Sequence, residues 1–198
     1  MHLPPIHARR EVSRNRFLTY VEEDLSDRHG QPYTYYQVES QWDAVVVVPV
    51  LSDGRILVER IYRHPYKRWF HEFPAGGIEP GEDPLVAGAR ELLEETGHAG
   101  DSPRLLQSFE AMPGLLRMRL HVVLIENCQI IAQQQLEAME LLEVEAMTRE
   151  QAWALARLEA PSSFLVMGLW AWGNHSSALG AQPSEATGIQ LTPDIGSS

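Results

Sequence analysis

The chain has 198 residues, 44% of them hydrophobic, with a formal net charge of −11 and a pI near 5.1. That acidity argues against general binding to nucleic acid or to an anionic membrane, so an anionic ligand would need a locally basic or cation-loaded pocket. The length suits one compact domain with extensions. The single cysteine, Cys128, excludes an intramolecular disulfide, and a lone thiol in an apolar stretch is expected to be packed rather than reactive.

The N-terminal residues carry Pro4, Pro5, His7, Arg9 and Arg10 with no apolar signal core. No segment reaches the roughly 20 apolar residues of a membrane span. Residues 1–14 read as a flexible arm, and a cytoplasmic protein is expected. Two strands follow within residues 15–42, at about Phe17 to Asp24 and Tyr33 to Glu39, joined by the polar turn Ser26-Asp27-Arg28-His29-Gly30. Ala44 to Leu51 is a β-branched run suited to a strand buried on both faces, and the turn Ser52-Asp53-Gly54 leads to a strand over Arg55 to Arg63. His64, Lys67 and Arg68 then lie on a loop, before Glu72-Phe73-Pro74-Ala75 delivers the chain to a glycine turn.

Asp83 as N-cap, Pro84 at the first helical position and Gly97 as a left-handed terminator predict a helix over Pro84 to Thr96. Leu85, Ala89, Leu92, Leu93 and Thr96 can turn towards a core, while Glu91 lies beside both Glu94 and Glu95. Like charges at that spacing cost an isolated helix roughly 0.2–0.5 kcal/mol per pair. Such a local conflict marks a site, and hard divalent cations prefer carboxylate oxygens. Strands are expected at Arg104 to Met112 and Arg119 to Glu126, followed by a Gln-rich acidic loop from Gln133 to Glu140. Leu141 to Met147 reads as a last strand, with helices over Arg149 to Leu158 and, capped by Ser162, over Ser162 to Trp172. Residues 176–198, rich in Ser, Gly, Pro and Thr, read as a disordered tail.

The spacing Gly76, five residues, Glu82, seven residues, Arg90-Glu91-Leu92, one residue, Glu94-Glu95, one residue, Gly97 resembles the signature of the Nudix hydrolases. Only His98 departs, standing where the family has an apolar residue. The resemblance runs from about residue 15 to 173 and is nearest to the ADP-ribose and ADP-sugar pyrophosphatases. It rests there on the N-terminal strand pair, on Tyr62-Arg63 followed by Trp69 to Gly76, and on Pro113 fifteen residues after the box. It implies an α/β fold, an α/β/α sandwich with a mixed sheet over residues 43–175 and an N-terminal β-strand extension that forms a homodimer. It also implies hydrolysis of a nucleotide sugar, ADP-ribose above all, to AMP and ribose 5-phosphate with Mg²⁺, or Mn²⁺ in its place. Other substrates remain open: a GDP-sugar, a dinucleoside polyphosphate, a coenzyme or a capped RNA end, the last disfavoured by the net charge. A non-catalytic nucleotide-binding domain is also open.

By the same resemblance Glu91 and Glu95 are the principal metal ligands, Glu94 holds another ion or a water, and the Ala75 carbonyl is a backbone ligand. Arg90 orients the site by pairing with Glu82, as its planar fork allows. Arg63, Glu72 and Pro113 fall at substrate-binding positions, although Arg63 can also be a solvated strand-end arginine. Glu140, then Glu137, are candidates for general base, unless their segment is a short helix of solvated glutamates. Trp42, Tyr35 and Tyr36 could stack on a purine or simply pack. Relatives commonly carry an acidic residue after Pro113-Gly114, where this chain has Leu115 to Arg119; Arg117 and Arg119 favour a more highly charged substrate or face solvent.

Overall fold

Val45 to Val48 are all fully buried, which a strand achieves only when both of its faces are covered. The computed structural model, which describes residues 3–180, shows what covers them. Its strands are β1 (Ile6–Arg14), β2 (Leu18–Ser26), β3 (Pro32–Ser40), β4 (Ala44–Leu51), β5 (Ile56–Arg63), β6 (Arg68–Glu72), β7 (Ala75–Gly77), β8 (His98–Met112), β9 (Leu116–Ile130) and β10 (Leu142–Met147). Its helices are α1 (Pro84–Thr96), α2 (Arg149–Ala156) and α3 (Ser163–Gly180).

The strands form one mixed sheet with the main path β1-β2-β3-β9-β4-β5-β10; β8 pairs with β9, β7 with β4 and β6 with β5. β9 runs parallel to both β3 and β4. Because side chains alternate along a strand, the centre of the sheet feeds two cores. Val45, Val47, Leu57, Val123 and Ile125 meet Ala87 and Leu92 of α1. Val46, Val48, Ile56, Val58, Val122 and Leu124 meet Ala152 of α2 with Leu165 and Leu169 of α3. Each fully buried aliphatic side chain of this kind contributes roughly 1.5–3 kcal/mol. The result is the α/β/α sandwich with mixed sheet expected from the sequence.

Several boundaries differ from the expectation. The arm read over residues 1–14 is strand β1 from Ile6 onward, antiparallel to β2. It is exposed along its length and tied down by ion pairs, Arg9 to Glu23 and Glu39, Arg10 to Glu22 and Asp24. The loop around Arg68 is strand β6, whose side chains pair across to β5. β8 and β9 extend well beyond the expected strands, as a long hairpin turning at residues 113–115. The tail expected from residue 176 begins inside α3, and residues 181–198 lie outside the described residues.

Candidate active site

Local chemistry places α1. The Asp83 side chain accepts the Leu85 N–H, Pro84 occupies the first turn, and Gly97 at φ 71° closes the helix on the Leu93 carbonyl. Gly97 cannot be replaced cheaply, since a Cβ there would sit 2.3 Å from the Ala132 carbonyl oxygen. The buried face comprises Ala87, Gly88, Glu91, Leu92, Glu95 and Thr96. Ala89 is exposed, contrary to the sequence reading, because Gly88 is the residue that lets the helix approach Val47 and Val123.

That rotation divides the three carboxylates. Glu95 is 3% and Glu91 8% exposed, whereas the Glu94 side chain keeps 43%. Burial pushes the Glu91 carboxyl above the ordinary range, and burial with the neighbouring charge of Glu59 pushes Glu95 well above it. Glu95 Oε2 accepts the Ala75 N–H at 2.9 Å, so the contact seen at Ala75 runs through its nitrogen. Gly76 follows with a close approach, a Cβ there falling 2.1 Å from the Glu91 carboxyl carbon.

Arg90 ties the ridge to the preceding loop. Its fork donates to both Glu82 oxygens at 3.0 and 3.1 Å and to the Gly77 carbonyl at 2.9 Å. Nη1 then reaches Glu91 Oε1 at 2.7 Å and Glu94 Oε2 at 3.1 Å. The Arg90 hydrogen bonds hold the Glu82 carboxyl below its usual range. Among the described residues no three acidic, His or Cys side chains already converge as a preformed metal cradle.

The ridge opens into a cavity of about 460 Å³ lined by Glu91, Glu94, Glu95, Arg90, Glu137 and Glu140, with Phe17 and Trp42 on its wall. The two rings meet edge to face at 6.0 Å. The segment carrying Glu137 and Glu140 is strapped to the end of α1: Gln135 N–H donates to the Glu94 carbonyl and the Gln134 amide to the Glu95 carbonyl. It is not a helix, and Glu140 Oε2 accepts the Glu137 N–H at 2.7 Å.

Other candidates lie elsewhere. Arg63 pairs with Glu72 at 2.6 Å and borders a separate cavity with Tyr66 and Phe164. Pro113 lines a third, beside Ile6, Tyr35 and Leu115. Arg117 and Arg119 pair with Glu39 and Glu110 on the surface. Tyr36 stacks on Tyr20, and the Tyr35 hydroxyl donates to the Gly114 carbonyl, so neither reaches the ridge cavity of its own chain. Sequence reasoning missed Glu59 on β5, a buried glutamate whose charge acts on Glu95. A signal was present, since Glu59 shares inward parity with Leu57 and Ile61 in an apolar strand.

A scan against family models matches the NUDIX domain over residues 41–165. The chain belongs to the NUDIX domain family. It is a hydrolase of the Nudix pyrophosphatase class. It is 29% identical over 146 residues to an ADP-ribose pyrophosphatase of Bacillus subtilis, covering 73% of this chain and 78% of that one. It is 34% identical over 123 residues to a mouse ADP-sugar pyrophosphatase, covering 57% and 56%. A solved ADP compounds hydrolase superposes with TM-score 0.80 at 22% identity, over 91% of this chain and 97% of that one, which is a likeness of fold.

Proposed function

We propose that this enzyme hydrolyses the pyrophosphate bond of a nucleoside diphosphate sugar, ADP-ribose to AMP and ribose 5-phosphate, with Mg²⁺ as cofactor. The observation that carries the reading is one cavity lined by Glu91, Glu94 and Glu95, by two further glutamates and by an aromatic pair suited to a flat base. The donor set fits a hard cation: buried oxygens, with no sulfur or imidazole among them. Glu91 and Glu95 would be its main holders, with Glu94 and the Ala75 carbonyl beside them. Bound there, Mg²⁺ neutralises charge on the phosphate oxygens.

The chain's own groups do the rest. Arg90 keeps the loop of residues 77–82 against the helix, so the carboxylates keep their aim. Glu140, with Glu137 as the second candidate, takes a proton from the attacking water. Oxygen of that water bonds to one phosphorus, the anhydride P–O bond breaks, and the departing phosphate keeps the electron pair. Arg63 and Glu72 contribute to substrate binding from the flank.

Ile6, Val12, Leu18, Tyr20 and Tyr36 leave apolar surface exposed on the N-terminal strands, which supports a homodimer in which Pro113 faces the partner's site. No helix among the described residues is long and apolar enough to cross a membrane. A second reading, hydrolysis of another nucleoside-diphosphate-linked compound, is favoured by Leu115 to Arg119 standing where the family resemblance implies an acidic residue.

The test is incubation with Mg²⁺ and ADP-ribose, ADP-glucose, GDP-mannose, NADH or diadenosine polyphosphate, with products read by mass. AMP and ribose 5-phosphate released from ADP-ribose fastest is the expected result. Silence there with turnover elsewhere supports the second reading, and silence throughout refutes both.

A further inference from the structure

Glu59 is the one buried carboxylate near the ridge whose presence the mechanism leaves unexplained. It lies in the middle of β5, directly opposite Glu72 of β6 and Val144 of β10. It is 1% exposed, and its Oε1 is fully buried without a hydrogen-bond partner. Strand parity fixes its direction. Leu57, two residues earlier, packs in the cluster with Leu92 of α1, while Val58 faces α3. Glu59 therefore points to the α1 side, where Glu91 and Glu95 are buried. Among neighbouring charges, Glu59 acts most strongly on Glu95, and Glu59 in turn feels Arg63, Glu72, Glu140 and Glu91.

An unpartnered buried carboxylate oxygen costs stability. Arg63 offsets part of the cost through its charge but gives Glu59 no hydrogen bond, because its N–H groups donate to Glu72 Oε2 at 2.6 and 3.1 Å. A divalent cation would relieve it, since it neutralises like charges and takes oxygen ligands from more than one strand. We propose that Glu59 is a further carboxylate of the cation site, holding a divalent ion together with Glu95 on the sheet side of the ridge. The ion then bridges β5 to α1, and the site has an inner pair, Glu59 and Glu95, as well as an outer pair, Glu91 and Glu94. This rests on the hydrolase reading for the presence of a metal and adds a ligand to it.

Mn²⁺ binding to the full chain, followed by electron paramagnetic resonance and titration calorimetry, tests the assignment in wild type, Glu59→Gln and Glu95→Gln. Gln keeps the shape of the side chain and removes its charge. Glu59→Gln is expected to lose one Mn²⁺ from the stoichiometry or to bind about tenfold more weakly or worse, while melting without metal at or above the wild-type temperature. Wild-type stoichiometry and affinity in Glu59→Gln, with Glu95→Gln impaired, would overturn the proposal. Glu59→Leu, which carries no polar atom to satisfy, serves the same comparison if the amide does not fold. The substrate panel separates the two claims: turnover of ADP-ribose with Glu59-independent Mn²⁺ binding sinks only this inference. Glu59-dependent Mn²⁺ binding with no turnover sinks only the hydrolase reading.

Discussion

The stability of the metal-free protein should fall as pH rises from about 5 to 8, and Glu59 should account for much of the slope. Its carboxyl is pushed up to about 8 from an ordinary 4.5, first by burial and then by Glu72, Glu140 and Glu91, against the pull of Arg63. Between those two values the folded state holds a proton that the unfolded state has released, so raising the pH favours unfolding. The contribution is intact below 4.5 and lost by the time pH passes the folded value. At about 1.4 kcal/mol per unit, the loss is at most about 5 kcal/mol. For a chain of this size each kcal/mol moves the melting temperature by roughly 2–4 °C. Glu91 and Glu95 shift in the same direction and add to the slope. Glu82, Asp24 and Asp53 shift downward and act below this window. The assay is thermal unfolding in chelator at several pH values, for wild type and Glu59→Gln. The variant should show a flatter profile and a higher melting temperature at pH 8. Parallel profiles would refute the reasoning, because they would mean that Glu59 is ionised at no extra cost in the fold.

Glu95→Gln should lower turnover by about a hundredfold or more by removing charge stabilisation worth several kcal/mol, while keeping an acceptor for the Ala75 N–H; activity near wild type at saturating Mg²⁺ would contradict the ridge assignment. Gly76→Ala places a methyl 2.1 Å from the Glu91 carboxyl, the far end of a flexible side chain. That carboxyl should swing away, so activity and Mn²⁺ affinity fall while the melting temperature barely moves. Arg90→Lys keeps the charge but not the fork, and one ammonium cannot serve Glu82, Gly77 and Glu91 together; kcat should fall more than thermal stability, as steady-state kinetics and melting would show. Gly168→Ala should do the reverse. Its Cβ would lie 2.4 Å from the fully buried Phe73 ring and 3.3 Å from Val48, and overpacking of this kind costs roughly 1–3 kcal/mol. Urea unfolding should show a lower midpoint at unchanged slope.

Features governed by local chemistry were legible in the sequence. Helix α1 runs over Pro84–Thr96, the span its cap, proline and glycine mark, and the double-faced burial of β4 follows from an unbroken β-branched run. The long-range features were not. β1 carries no buried residue, so nothing in its hydropathy distinguishes it from a solvated arm; its pairing depends on β2 and on charges such as Glu39, thirty residues away. Glu59 could be flagged by parity but not weighed, because what makes it unusual is the absence of a partner for one oxygen, a property of the packed sheet. Pro113 and Arg63 fall at the positions the family resemblance marks, yet within one chain each borders a cavity other than that of the ridge.

The charges along α1 look destabilising on paper, and Arg90 explains how the folded protein tolerates them before any ligand arrives. The two ends of its guanidinium have separate duties. Nε and Nη2 hold Glu82 and the Gly77 carbonyl, contacts that fix the loop. Nη1 alone touches Glu91 and Glu94. A cation at those carboxylates competes only for Nη1, so the loop anchor survives the exchange. Among the described residues no hydrogen-bond donor meets Glu59 Oε1, and Glu95 Oε2 accepts the Ala75 N–H. The inner carboxylates are thus the ones left dependent on what the site binds, and the stability they withhold from the metal-free fold becomes available as affinity.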